Sequence, residues 1–182
     1  LHRVDRRQRQ MCIRDRDHLA WLMGSFILIL GFIIQKFSVR YLIGDRNYRK
    51  YFPLFTLITS FASIAWLSGD LRLMVLFWGA TLLSLTLLIR VNRSWKLPYE
   101  AAKVSGKSFA LGWLSLLVAV ILLYVATGNW HINVTLANDD VITSGMRFII
   151  DMLIVLAVIV PAAQFPFQSW LIESVAAPTP VS

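Results

Sequence analysis

The hydrophobic positions of this chain form long, nearly uncharged runs that are separated by short polar stretches. Five segments follow from them, here called A to E in chain order: about residues 19–37, 51–67, 71–89, 109–127 and 146–173. Each holds a run close to the roughly 20 apolar residues of one helical membrane crossing. A composition of 57% hydrophobic and 15% charged residues, with a mean hydropathy of +0.63, agrees with this interpretation. The sequence therefore predicts an all-α, polytopic transmembrane helix bundle of about five helices in the lipid bilayer.

Basic residues concentrate in the loop between segments A and B and in the loop between segments C and D. Outside residues 1–16, ten of the twelve Lys and Arg residues lie in these loops or at the adjoining helix ends, and the exceptions are Arg72 and Arg147. Cytoplasmic loops of membrane proteins carry an excess of Lys and Arg. We therefore expect the A–B and C–D loops in the cytoplasm and the B–C and D–E loops outside.

Residues 1–16 differ in composition from everything that follows. They hold six of the 18 basic residues and show no apolar periodicity. They have neither the apolar core nor the small-residue cleavage site of a signal peptide. An arginine-rich tail outside the cell would also contradict the charge rule that orients the five segments. We interpret residues 1–16 as a non-native tail and residues 17–182 as part of a transmembrane domain.

Composition argues against several other kinds of site. Cys12 is the single cysteine of the sequence and the three histidines are scattered, so no disulfide, cysteine cluster or histidine ligand set is expected. The sequence has no GxGxxG motif, P-loop or nucleophile elbow. Its net charge of +8 lies in loops between apolar segments, which does not fit nucleic-acid binding. We expect no cofactor, no metal and no catalytic residue in this chain.

Segment E contains two prolines that should interrupt its helix. Pro161 and Pro166 lack an N–H and collide with the preceding helical turn, so regular hydrogen bonding should fail around them. Backbone groups freed inside a bilayer need partners from protein or water, and transporters place discontinuous helices at ion and substrate sites. Gln164 and Gln168, four residues apart, could share one face of a resumed helix and bond freed carbonyls or water. The alternative is a proline kink without a pathway.

The seven tryptophans mostly fall near segment ends, where they suit the aromatic belt of a membrane protein. Trp78 and Trp113 lie deeper and fit helix packing. No chemistry is assigned to any of them.

The sequence around the break resembles a family signature. A-Q-F-P-F-Q-S-W-L at residues 163–171, followed by P-T-P-V-S at 178–182, is similar to the signature of the proton-translocating antiporter family. That family comprises the antiporter-like membrane subunits of respiratory complex I, the Mrp-type sodium/proton antiporters and the membrane subunit of the DAB-type inorganic-carbon transporter. R-Y-L-I-G-D and N-Y-R-K-Y-F in the A–B loop resemble the loop between the family's third and fourth helices. The resemblance implies that segments A to E are helices three to seven of a longer protein, and that this chain is an internal fragment.

The resemblance also implies a buried pair of opposite charges that this chain lacks. In the complex I branch, the fifth helix carries a glutamate directly after a tryptophan, and the seventh carries a lysine just ahead of its Ala-Gln-x-Pro block. Gly79 and Pro161 stand at the corresponding positions here. The resemblance therefore favours the inorganic-carbon branch over the complex I and Mrp subunits.

Other polar residues are candidates for a proton or ion pathway: Asp151, Gln164, Gln168, Glu173, Lys107 and Lys103. An ionisable group within a membrane segment is costly and usually functional. The alternative for Asp151 is a helix-end position paired with Arg147, four residues earlier. Lys103 and Lys107 could instead be loop charges that snorkel toward water. Glu173 could end the broken helix or lie in a hydrated cavity.

The resemblance implies a membrane subunit that couples proton movement to uptake of carbon dioxide or bicarbonate in a prokaryotic plasma membrane. Its partner would be a peripheral or soluble, carbonic-anhydrase-like subunit. The alternative is a proton-pumping subunit of an NADH:quinone oxidoreductase, an enzyme complex whose redox centres lie in other chains, or an Mrp-type cation/proton antiporter. A membrane scaffold that has lost transport is a third interpretation.

Overall fold

The computed structural model describes residues 2–44, 48–90, 96–137 and 142–175, and of residues 2–17, 96–98 and 136–137 it describes the backbone alone. These residues form helices: α1 His2–Tyr41, α2 Tyr48–Leu67, α3 Leu71–Ile89, α4 Lys96–Thr127, α5 Ile132–Ala137, α6 Ser144–Ile159 and α7 Ser169–Ser174. Within them, four spans are long and apolar enough to cross a membrane: His18–Tyr41, Tyr48–Leu67, Leu71–Ile89 and Tyr99–Thr127. The predicted helical membrane bundle is confirmed.

The predicted segments agree best with α3, whose bounds are those of segment C. Helix α1 begins at His2, well before segment A, and the interpretation of residues 1–16 as non-native stays a prediction. The start of segment D is wrong, because α4 begins at Lys96 and places Lys103 and Lys107 on the helix rather than in a loop. Pro98 lies in the first turn of α4, where its missing N–H costs no hydrogen bond.

Segment E is divided into α6 and α7 by a break. Helix α6 has 16 residues, fewer than the roughly 20 of a full crossing, and ends at Ile159. Helix α7 begins at Ser169 and has six residues. The five predicted crossings are thus four long helices and one short, interrupted segment. Helix α5 lies in the D–E loop, where the sequence predicted no element.

Helices α1 to α4 pack in succession, and α4 lies at the centre of the second half of the chain. Contacts join α1 to α2, α2 to α3 and α3 to α4, and α4 also contacts both α6 and α7. The core around α4 is formed by Leu82, Ile89, Ala101, Ala102, Phe109 and Trp170. Since lipid offers no hydrophobic force that joins helices, such contacts depend on close packing.

Two loops meet at one end of the bundle. The Leu71 N–H donates to the Trp130 carbonyl at 2.9 Å, and the Ile132 N–H donates to the Gly69 carbonyl at 3.1 Å. These bonds place the B–C and D–E loops on the same side, as the predicted topology requires. Which side of the membrane this is stays a prediction from the charge rule.

Asp70 organises this end of the bundle. It caps α3 by accepting a hydrogen bond from the Arg72 N–H at 2.9 Å, and its Oδ2 pairs with Arg72 Nη2 at 2.9 Å. The Arg72 guanidinium lies 5.2 Å from the centre of the Trp130 ring, which stacks on Tyr124 at 4.0 Å. Hydrogen bonding from the Arg72 side chain lowers the pKa of Asp70 to about 2.

Cysteine labelling of the full-length protein tests the topology. In a Cys12→Ser background, Ile43→Cys and Arg90→Cys probe the A–B and C–D loops, while Ser144→Cys probes the start of α6. We expect a membrane-impermeant maleimide to label Ser144→Cys in intact cells, and the other two variants only after permeabilisation, because basic loops stay inside. Labelling of all three from one side would refute the topology.

The low pKa of Asp70 predicts a stability effect confined to acid. Its folded pKa, about 2, lies below the usual 3.8, so its stabilising contribution is complete above about pH 4 and is lost as pH falls through about 2. Asp70→Asn removes the charge and keeps a good helix cap. We expect the thermal stability of the wild type to exceed that of the variant near pH 6, with the difference shrinking toward pH 2. A constant difference over this range would contradict the prediction.

Candidate ion-pathway site at the helix break

The backbone between α6 and α7 departs from helical hydrogen bonding where the prolines lie. Pro161 has no N–H to offer to the Ala157 carbonyl. The Gln164 N–H donates to the Ile159 carbonyl at 3.2 Å, which spans five residues instead of four, and the Phe167 N–H donates to the Gln164 carbonyl at 2.6 Å. The break is therefore a folded turn and not a simple kink.

The two glutamines of the break have different surroundings. Gln164 is exposed, and its Nε2 lies 3.5 Å from the Ala162 carbonyl. This carbonyl has no helical donor, because Pro166 lacks an N–H. Gln168 Oε1 is buried and has no hydrogen-bond partner within the described ranges. The expectation that both glutamines share one face of a resumed helix is wrong. Helix α7 starts only at Ser169, with Gln168 as its N-cap residue.

Trp170 holds the short helix α7 against the bundle. Its side chain is only 8% exposed, and its indole N–H donates to the Val160 carbonyl at 3.0 Å. Its ring meets the Phe109 ring of α4 edge-on, with centroids 4.6 Å apart. The assignment of Trp170 to the aromatic belt is therefore wrong. A buried indole N–H needs an acceptor. The proline break next to Trp170 leaves backbone carbonyls without a donor, and this was the feature of the sequence that could have predicted the burial of Trp170.

Two consecutive residues of α4, Gly112 and Trp113, pack against the two positions at which the resemblance places the missing charges. A Cβ atom added to Gly79 would lie 2.8 Å from Trp113 Cδ1, so the indole fills the space of a side chain there. A Cβ atom added to Gly112 would lie 2.9 Å from Pro161 Cγ. The Trp113 indole N–H is held by the Val75 carbonyl at 3.0 Å. Helix packing thus fills the space beside Gly79 and brings Pro161 against Gly112, and the expected packing role of Trp113 is seen.

The ionisable candidates lie on α4 and on the two helices, α6 and α7, that pack against it. Asp151 is on α6, Glu173 is on α7, and Lys103 and Lys107 are one turn apart on α4. All four side chains are exposed on the surface of this chain. The buried polar side chains within the described ranges are serines and one threonine. The described residues also hold no group of three His, Cys, Asp or Glu that could bind a metal ion.

Membrane helices interrupted in this way occur at the ion and substrate sites of transporters, so the fold and the break are typical of a transporter-like membrane subunit. The model of the NADH:quinone oxidoreductase/Mrp antiporter transmembrane family matches residues 68–182, and the chain belongs to this family.

Similar proteins come from two branches of the family. The probable inorganic carbon transporter subunit DabB of Bacillus subtilis (strain 168) is 61% identical over 168 residues, which cover 91% of this chain and 33% of that protein. The protein of the same description from Bacillus anthracis is 55% identical with the same coverage. A chain of the Mrp complex from Dietzia sp. DQ12-45-1b superposes with a TM-score of 0.82 at 29% identity, over 91% of this chain and 18% of that one. The chain thus spans about a third of the length of these two Bacillus relatives.

The fit between Gly79 and Trp113 predicts that Gly79→Ala destabilises the protein. The added methyl group would overlap the indole, and overpacking of this kind costs about 1–3 kcal/mol. Gly145→Ala is the matched control, because nothing lies within 4 Å of the added atom and alanine favours a helix. Denaturant unfolding of the full-length protein in detergent measures both.

A second substitution distinguishes overlap from a general effect on α3. Trp113→Leu removes the indole, so Gly79→Ala should cost less stability in a Trp113→Leu background than in the wild type. Equal stability of Gly79→Ala and Gly145→Ala would show that the indole does not constrain residue 79.

Proposed function

We propose that this chain is part of the membrane subunit of a proton-coupled inorganic-carbon transporter in a prokaryotic plasma membrane. The supporting observation is the 61% identity to the DabB subunit of Bacillus subtilis, against 29% to the Mrp chain whose fold is similar. The substrate would be carbon dioxide or bicarbonate, and proton movement would energise its uptake.

Gly79 and Pro161 give this proposal independent support. A proton relay that needs a carboxylate and an amine at these two positions cannot operate in a chain that has glycine and proline there, and the Trp113 indole fills the space beside Gly79. The competing functions are an Mrp-type cation/proton antiporter and a proton-pumping subunit of an NADH:quinone oxidoreductase. The TM-score of 0.82 to an Mrp chain supports a common fold. The choice between the branches of the family therefore depends on residues such as Gly79 and Pro161.

The helix break offers a route for protons in place of the missing pair. The Gln168 Oε1 atom, buried and unpartnered within the described ranges, is an acceptor for a water molecule. The Ala157 carbonyl has no helical donor, because residue 161 is a proline without an N–H. This carbonyl is a second acceptor on the same segment. Gln164 has both a donor and an acceptor to connect these groups to water on the exposed side of the turn.

Ionisable residues would deliver and receive the protons on either side of the break. Asp151 precedes it on α6 and Glu173 follows it on α7, while Lys103 and Lys107 lie on the helix that packs against both. A charged group that faces hydrocarbon costs about 2.5–3.5 kcal/mol on insertion scales. That cost favours partners or water for these side chains in the complete protein.

The partner in this proposal is a peripheral or soluble, carbonic-anhydrase-like subunit. The relatives with the highest identities above are described as transporter subunits, which supports a hetero-oligomer. In the proposed complex this partner carries out the hydration chemistry.

Uptake of labelled bicarbonate by cells that express the full-length protein with its partner tests the pathway. We expect Asp151→Asn, Gln164→Leu and Gln168→Leu to lower uptake by about a hundredfold, the size of effect that a lost proton-transfer group produces. Membrane insertion and partner binding should stay unchanged.

Gln35→Leu is the matched control, because Gln35 bonds Thr56 between α1 and α2, away from the break. Uptake equal to that of the control in all three variants would make the break structural and move the pathway to Lys103 and Lys107. Cation-dependent proton exchange in vesicles, without bicarbonate uptake, would favour the antiporter function.

A further inference from the structure

A groove of about 660 Å³ runs between α3 and α4. Helix α3 contributes Leu76, Ala80 and Leu83, and helix α4 contributes Ala110, Leu117 and Ile121. Several of these apolar side chains are exposed, Leu76 by 59% and Leu83 by 62%, so the groove opens toward its surroundings. Where this face of α3 and α4 meets the bilayer, those surroundings are hydrocarbon.

The groove is long enough to hold the acyl chain of one leaflet. It extends along α3 from Arg72 to Thr86, 14 residues apart, which is about 21 Å at 1.5 Å per residue. One leaflet of a bilayer contributes about half of a 30 Å hydrocarbon core. Arg72 lies at the end of α3 next to the B–C turn, so the groove begins at the interface and runs inward.

The mouth of the groove presents both charges of an ion pair. Arg72 and Trp130 line it there, and Asp70 pairs with Arg72 at 2.9 Å. The side chains of Arg72 and Asp70 are 61% and 15% exposed. Arg72 donates to Asp70 through Nε and one Nη2 hydrogen, and within the described ranges the other N–H groups of its guanidinium are not used on protein.

An adjacent cation and anion suit a headgroup that also carries both charges. A phosphate can accept from the free guanidinium N–H groups, and a primary ammonium can donate to the Asp70 carboxylate. An anionic headgroup would gain the first contact but would approach the carboxylate with like charge, which is unfavourable at a few ångströms. A quaternary ammonium has no N–H to donate.

We propose that the α3–α4 groove binds phosphatidylethanolamine, with one acyl chain between the helices and the headgroup on Asp70 and Arg72. The Trp130 ring beneath Arg72 holds the guanidinium in place for the phosphate. This site is independent of the transported substrate and of the proposed proton route.

Native mass spectrometry of the full-length protein tests the proposal. The protein is extracted from membranes that contain phosphatidylethanolamine, phosphatidylglycerol and phosphatidylcholine in equal amounts, and the retained lipid is counted. We expect retained phosphatidylethanolamine in excess of the other two.

Two kinds of variant remove the two halves of the site. Asp70→Asn with Arg72→Gln removes both charge-assisted contacts and should lower retention at least tenfold, the effect of losing one of them, while Arg90→Gln should not. Arg90 is the matched control because its guanidinium lies 5.3 Å from the Tyr99 ring but does not line the groove. Ala80→Trp fills the groove and should displace the lipid, whereas Leu73→Trp, on exposed α3 surface outside it, should not.

Three results would overturn the proposal. Preferential retention of phosphatidylglycerol or phosphatidylcholine would refute the headgroup assignment. Retention that is equal in the paired-charge variant and in Arg90→Gln would place the lipid elsewhere. Cross-links from a cysteine at residue 80 to another polypeptide segment, with no lipid retained, would show that protein covers the groove.

Discussion

Backbone groups inside a bilayer have no bulk water to bond, and the two prolines after α6 make that constraint hardest to meet. The chain responds by folding a turn instead of continuing the helix. Trp170 then returns its indole N–H to the Val160 carbonyl and seats α7 against Phe109. A hydrophobic residue at position 170 could fill the same space but could not supply this donor. Gln168 Oε1 is a buried side-chain atom for which the described structure supplies no such partner, and for this reason it marks the polar side of the break.

Close helix contacts provide the second level of organisation. Glycine at residue 79 lets the Trp113 ring lie against α3, and glycine at residue 112 lets Pro161 approach α4. In lipid, where apolar surface gains little by leaving hydrocarbon, small residues at such contacts allow the packing that holds helices together. The same residues exclude a carboxylate at position 79 without movement of the indole. Close packing of Trp113 and the absence of the carboxylate at residue 79 are therefore one feature of this sequence.

Sequence patterns predicted the fold class, the order of the long helices and the location of the break. Segment C matched α3 because Ser68, Gly69 and Asp70 give a sharp turn signal and Asp70 is a good N-cap. The start of α4 was misplaced because lysines interrupt the apolar run, although long aliphatic stems allow lysine on a helix near the interface. The path of the chain after Pro166 depends on the contact of Trp170 with Phe109, 61 positions earlier in the sequence, and no local pattern encodes it. The α3–α4 groove likewise arises only once two helices are packed.

The position of the break within the bundle follows from the register of α3 against α4. The bonds between the B–C and D–E loops fix the two helices at one end, and the Trp113–Val75 bond fixes them again within the membrane. A slip of one residue would move one helix by about 1.5 Å, which is more than a 3.0 Å hydrogen bond tolerates. Helix α4 then carries this register to α6 through Gly112 and Pro161, and to α7 through Phe109 and Trp170. The polar turn is therefore positioned by α4, and a displacement of α4 against α3 would have to break these contacts before it could move the break.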